Sequence, residues 1–358
     1  MKPHDTYRTS AWSTALAGMS PSYFGLAMAT GIVSLAADAT GYATIARLLF
    51  GLNVVQYLVL CGLYAWRACA FPRRFFGDML THATGPGYFT MVAGTGVLAS
   101  QFIVLDGNIV VGKVLWGLGC LLWVGLTYTI FTALTVCRDK PTLDRGISGG
   151  WLLAVVATQA VAVSSALIAT EVAQPHRLEL NLLALSMWLW GGMLYIWMMS
   201  LIFYRYTFFR FSPSDLTPPY WINMGAMAIS TLGGSLLIGN APDAPFLTSI
   251  LPFLKGFTVL YWATGTWWIP MLLLLGVWRH GYRRFPLRYD PLYWGAVFPL
   301  GMYSTATWHM IEVMPLGFLE PVPRLFFHVA LAAWLVAFGG LLHRLSRILL
   351  DRNPGASS

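Results

Sequence analysis

The chain has 358 residues and a net charge of +8, and it is 57% hydrophobic but only 10% charged. A soluble domain of this size carries about a quarter charged residues. A soluble enzyme is therefore excluded, and so is a nucleic-acid-binding domain with a basic water-facing surface; the lipid bilayer must be the main solvent.

A spanning helix takes about 20 predominantly apolar residues. In chain order, such stretches fall near 20–37, 43–66, 86–105, 110–136, 148–170, 180–206, 219–239, 246–278, 291–313 and 322–346. Residues 1–19 read as a cytoplasmic N-terminal tail, 20–346 as a ten-helix transmembrane pore domain, and 347–358 as a cytoplasmic C-terminal tail. The first apolar stretch lacks a short charged leader and a small-residue cleavage site, so it reads as the first span and not as a signal peptide. Cys61, Cys69, Cys120 and Cys137 form no CxxC or Cys/His grouping, which suggests no disulfide framework, metal site or cofactor.

Positive charge sets the orientation of membrane helices. With the N-terminus inside, the inner segments hold Lys2, Arg8, Arg67, Arg73, Arg74, Arg138, Lys140, Arg145, Arg205, Arg210, Arg279, Arg283, Arg284, Arg288, Arg344, Arg347 and Arg352. Those are 17 of the 22 Lys and Arg; the outer side keeps Arg47, Lys113, Arg177, Lys255 and Arg324. Both termini are expected on the cytoplasmic side of the plasma (inner) membrane.

A repeat runs through the odd-numbered spans. Pro21-Ser22-Tyr23-Phe24, Pro86-Gly87-Tyr88-Phe89, Pro219-Tyr220-Trp221 and Pro291-Leu292-Tyr293-Trp294 open four of them, and Gly149-Gly150-Trp151 is a degenerate fifth. Phe24, Phe89, Trp151, Trp221 and Trp294 are spaced by 65, 62, 70 and 73 residues, room for two helices and two loops each time. Proline suits the first helical turn, where its missing N–H costs nothing. The expected architecture is all-α: five repeated helical hairpins, parallel in the membrane, around a central pore.

The odd spans are rich in small and hydroxylated residues and the even ones in Leu and Trp. Close packing or water lining asks for the former and lipid for the latter, so odd helices are expected inside and even ones outside. Candidate pore-lining residues are Thr30, Gly31, Ser34, Thr95, Gly96, Thr158, Ser230, Thr231, Gly301 and Ser304. Tight packing without a pore also explains small residues. The odd helices share a direction, so their positive macrodipole ends converge on the cytoplasmic mouth and favour anions there. Phe298-Pro299 lies within the ninth span. Proline kinks a helix by removing a backbone hydrogen bond, and a ring beside a kink is either a gate or a core side chain.

The runs Phe24-Gly25-Leu26-Ala27-Met28-Ala29-Thr30-Gly31-Ile32-Val33-Ser34 and Gly87-Tyr88-Phe89-Thr90-Met91-Val92-Ala93-Gly94-Thr95-Gly96, with Phe298-Pro299, resemble the tellurite-resistance and dicarboxylate transporter family. Slow-type anion channels, sulfite efflux pumps and malate permeases belong to it. The resemblance covers essentially the whole chain. It implies a pore in each protomer of a homotrimer, with Phe298 as gate. His82 matches the His of a His-Pro element in which Ala83 here replaces the proline.

His309 and Glu312, one turn apart, read as a hydrogen-bonded pair, with a metal or proton-relay reading as the alternative. Arg47 and Lys255 are expected to snorkel, with Lys255 alternatively drawing anions at the outer mouth. His328 is expected to bond across helices. The leading reading is gated, channel-like transport of small inorganic or organic anions, with dicarboxylate, tellurite, sulfite, chloride and nitrate as the candidate class. The alternative is a proton-coupled carrier or exporter of dicarboxylate, sulfite or tellurite. A membrane-embedded redox enzyme is a remote third reading, because paired axial histidines are lacking.

Overall fold

The computed structural model describes residues 11–286 and 289–350. Lys2, Arg8, Arg288 and Arg352, with most of both tails, lie outside the described residues. Among those described, the protein is all-helical with no strand. Ten long helices make up the body: α1 (Gly25–Ala39), α2 (Ala43–Ala70), α3 (Phe89–Val104), α4 (Ile109–Val136), α5 (Leu153–Thr170), α6 (His176–Phe208), α7 (Ile222–Asn240), α8 (Leu251–Val277), α9 (Trp294–Val313) and α10 (Pro321–Leu350).

Nine of these are long and apolar enough to cross a membrane. The exception is α9, which has 20 residues but is diluted by Trp294, Pro299, Ser304, Thr305, Thr307, His309 and Glu312. The eighth span begins later than the sequence suggests, because Pro245–Ser249 forms a separate short helix before α8. A short helix at Pro72–Met79 was not expected. It is amphipathic, turning Phe75 and Met79 inward while Arg73 and Arg74 stay exposed.

Each odd helix is entered through a 3-10 turn: Pro21–Phe24, Gly85–Tyr88, Gly149–Leu152, Pro218–Trp221 and Pro291–Tyr293. The third copy lacks proline yet adopts the same turn, with the Ser148 hydroxyl accepting from the Gly150 amide. Ser20 and Asp290 cap two others in the same way. These side chains satisfy amides that a helix start leaves unpaired.

Helix contacts close into a cycle. α1 packs on α3, α3 on α5, α5 on α7, α7 on α9 and α9 back on α1, and the five 3-10 turns touch in the same cyclic order. Each odd helix also packs along the even helix that follows it. The odd spans α1, α3, α5 and α7 are 78 to 94% buried, the even ones 22 to 50%.

Lipid tails are as apolar as leucine, so packing and interhelical hydrogen bonds must hold such helices together. One bond type recurs around the ring. Tyr57 of α2 donates to Thr95 of α3 at 2.8 Å, and Trp123 of α4 to Thr158 of α5 at 2.8 Å. Trp188 of α6 donates to the Ser230 carbonyl of α7 at 2.7 Å, and Trp262 of α8 to Thr307 of α9 at 3.0 Å. Trp334 of α10 donates to Thr30 of α1 at 2.9 Å and closes the circle. Every even helix thus straps itself to the odd helix of the next pair.

Candidate functional site

Two cavities lie at opposite ends of the odd-helix ring. The first, about 220 Å³, sits among the helix starts and takes residues from all five entries, including Ser22, Thr90, Ser148, Thr217 and Pro291. Arg145 is the one charged side chain on its wall. The second, about 360 Å³, sits among the C-terminal halves of the same five helices. Its wall is mostly aliphatic but holds Asp38, His309 and Glu312.

On each helix the two walls continue one stripe. On α9, Gly295 faces the first cavity, and Met302, Thr305 and His309 face the second. Steps of three or four residues keep to one helix face, which places Phe298 on that stripe between the cavities. The same stepping places Ala93 on α3, Val156 and Ala157 on α5, and Ala226 on α7 at the matching level. All of these are buried, and Phe298 is 0% exposed. Of the residues placed at this level, Phe298 is the one that carries an aromatic ring.

Pro299 packs toward α7, where a Cβ on Gly225 would come within 2.7 Å of its ring. Glycine there lets the two backbones approach. Pro299 also withholds the amide that would bond the Gly295 carbonyl one turn back. The Phe298 segment is therefore one backbone hydrogen bond short.

A family profile described as voltage-dependent anion channel matches residues 18–342. The chain belongs to that family. An uncharacterized membrane protein of Mycobacterium tuberculosis is 39% identical over 153 residues, 43% of this chain and 77% of its own. An uncharacterized transporter of Methanocaldococcus jannaschii is 25% identical over 84% of this chain and 86% of its own. A sulfite efflux pump of Trichophyton rubrum is 24% identical over 90% of each chain. A channel and transporter family of membrane proteins is thus the setting for the two cavities.

For an anion channel family member the wall matters. Of the ten residues expected on the lining, Gly96 reaches a cavity wall; the other nine are not among the wall residues. The hydroxyls of Thr30, Thr95 and Thr158 are the strap acceptors described above, while the Ser230 hydroxyl donates to the Ala226 carbonyl of its own helix. Ser34 donates to the Ala46 carbonyl of α2 at 2.7 Å, and Ser304 to the Pro323 carbonyl of α10 at 2.7 Å. Thr231 bonds back to the Met227 carbonyl of its own helix. Gly31 meets Val97, Asn53 and Gln101, and Gly301 meets Ile32 and Val33. These hydroxyls serve helix contacts because a buried O–H without a partner is costly. The wall hydroxyls are instead Ser22, Thr90, Ser100, Ser148, Thr217 and Thr305.

The first cavity's rim is held by two similar clamps. Arg67, at the end of α2, pairs with Asp78, reaches the Tyr88 hydroxyl at 3.4 Å and lies 5.8 Å over the Phe75 ring. Arg205, at the end of α6, pairs with Asp215 at 3.4 Å, donates to the Tyr220 hydroxyl and lies 5.6 Å over Phe211. Asp215 is in the loop beyond the span. Burial alone would raise its pKa, but the Ser212 hydroxyl and amide and Arg205 together hold it below the usual carboxylate value. Each clamp ties an even helix to the start of the next odd helix.

The remaining candidates fall into place individually. His82 tilts against Trp151 at 6.0 Å, and Ala83, standing for the proline, lines the first cavity. His309 Nδ1 and Glu312 pair at 2.9 Å. His328 bonds the Tyr42 hydroxyl and the Arg324 carbonyl, across and along helices. Arg47 and Lys255 are exposed and neither lines a cavity. Among the described residues no cluster of metal-ligating side chains occurs.

Proposed function

We propose that the protein is a gated conduit that passes small anions through the axis of its five odd helices. In this reading the chain is five hairpins related by an axis along the membrane normal, odd helices inner and even helices outer. The observation that carries it is the single buried ring, Phe298, on the stripe that joins two cavities lined by all five inner helices. Displacing one side chain would join about 220 Å³ to about 360 Å³ of space. Pro299 supplies the weakened backbone that such a displacement needs.

Selectivity would come from potential and width. Five helix starts bring about half a positive charge each to the first cavity, and Arg145 adds a full one. No ionisable side chain occurs on α3, α5 or α7, so nothing along most of the axis repels an anion or binds it tightly. The 17-to-5 split of basic residues favours the first cavity as the cytoplasmic one, with both termini on that side of the plasma membrane. The resemblance stated above supports a homotrimer with one pore per protomer, and it suggests malate, tellurite or sulfite as cargo beside chloride and nitrate.

Reconstituted vesicles carrying the Phe298→Ala variant should pass several of these anions down their gradients without a pH gradient. A second reading, a proton-coupled exporter, is favoured by the sulfite efflux relative and by the ionisable groups of the second cavity. Flux that requires and follows a pH gradient at zero voltage would select that reading over the conduit.

A further inference from the structure

The two cavities carry opposite fixed charge. The first holds Arg145, for which no ion-pair partner occurs among the described residues. The second holds Asp38 from α1 with His309 and Glu312 from α9. These are the charged positions on an otherwise neutral axis. The odd helices point the same way, so their macrodipoles add positive potential at the first cavity and negative potential at the second.

We propose that this makes the path electrically polar: a small anion moves from the Arg145 cavity toward the Asp38 and Glu312 cavity more readily than in reverse. The inference rests on the conduit reading above and adds a direction to it.

The asymmetry does not pump. A passive path gives no net flux at equilibrium, so polarity shows only under a driving force, as rectification. Entry is faster at the end where attraction raises the local anion concentration, and exit is faster where repulsion lowers occupancy. Asp38 and Glu312 put two carboxylates on the second wall, against the one guanidinium of Arg145 on the first.

The neighbours leave this set in control of the wall. On α9 the Trp308 indole donates to Glu312 at 2.9 Å, beside the His309 contact. From α10, Arg324 lies 5.9 Å over Trp308, but its charge is taken by Glu320 at 2.7 Å. His328 is bonded on both ring nitrogens. α1 offers Asp38 alone, and α7, α3 and α5 offer no ionisable group.

The test uses inside-out patches from cells expressing Phe298→Ala in symmetric chloride. We expect the current–voltage curve to rectify by about two- to fivefold, the size of a one- or two-charge difference at solvent-exposed walls. Asp38→Asn with Glu312→Gln should raise the restricted direction and straighten the curve. Arg145→Gln should instead lower the favoured direction. A chloride current that is linear and unchanged in both charge variants overturns the polarity and leaves the conduit standing. No anion current at all in Phe298→Ala overturns the conduit and the polarity with it.

Discussion

α4 and α5 are neighbours with almost the same mean hydropathy, 2.0 and 2.1, yet α4 is 22% buried and α5 is 94% buried. In water, such a difference would be written in polarity. In a bilayer both environments are apolar, so size decides instead. α5 is built mostly from Ala, Val, Ser and Thr and is buried along nearly its whole length. α4 carries Leu121, Val124 and Tyr128 outward, all exposed in the protein and suited to lipid. Buried helices are selected for thinness and exposed helices for bulk.

The largest effect should come from breaking that size rule. A Cβ on Gly31 of α1 would come within 2.5 Å of Val97, whereas Gly125 of α4 has nothing within 4 Å. Gly31→Leu should cost about 3 kcal/mol by overpacking, read as a lower midpoint of thermal unfolding in detergent. Gly125→Leu should leave that midpoint unchanged.

A smaller effect tests the straps. Thr158 on α5 accepts from Trp123, while the Thr135 hydroxyl on α4 is exposed and bonds the Phe131 carbonyl of its own helix. Thr158→Val should cost about 0.6 kcal/mol, the average for an interhelical bond in a membrane protein. Thr135→Val should be neutral by the same unfolding measurement.

The smallest effect lies outside the membrane. Asp215 is held below its ordinary pKa when folded, so its stabilisation is present above the unfolded carboxylate value and fades as pH falls through the folded one. Asp215→Asn should therefore flatten the acid side of the stability profile and change little at low ionic strength below that range. At neutral pH it should loosen the Arg205 clamp slightly.

Ten helix positions and the alternation of small with bulky helices were legible in the sequence, because length, proline and side-chain size are local. Which face of an inner helix meets the axis was not. Gly25 through Ala37 of α1 are all buried, so no polar face marks one side from another. Thr30, Thr95 and Thr158, candidates for the lining, also accept the straps of the even helices. A usable signal existed in the donors. Tyr57, Trp123, Trp188, Trp262 and Trp334 recur at 66, 65, 74 and 72 residues, one per even helix. Arg145 and Asp38 were missed as wall residues because both sit beside helix ends, where charge is ordinary.

Between the two cavities, the large ring on the stripe is Phe298. Single-channel recording of Phe298→Ala beside the unmodified protein is the most direct test. The account predicts that removing the ring raises anion current at least about tenfold, the effect of about 1.4 kcal/mol of barrier, without creating cation current. An anion current identical in the two proteins would contradict it.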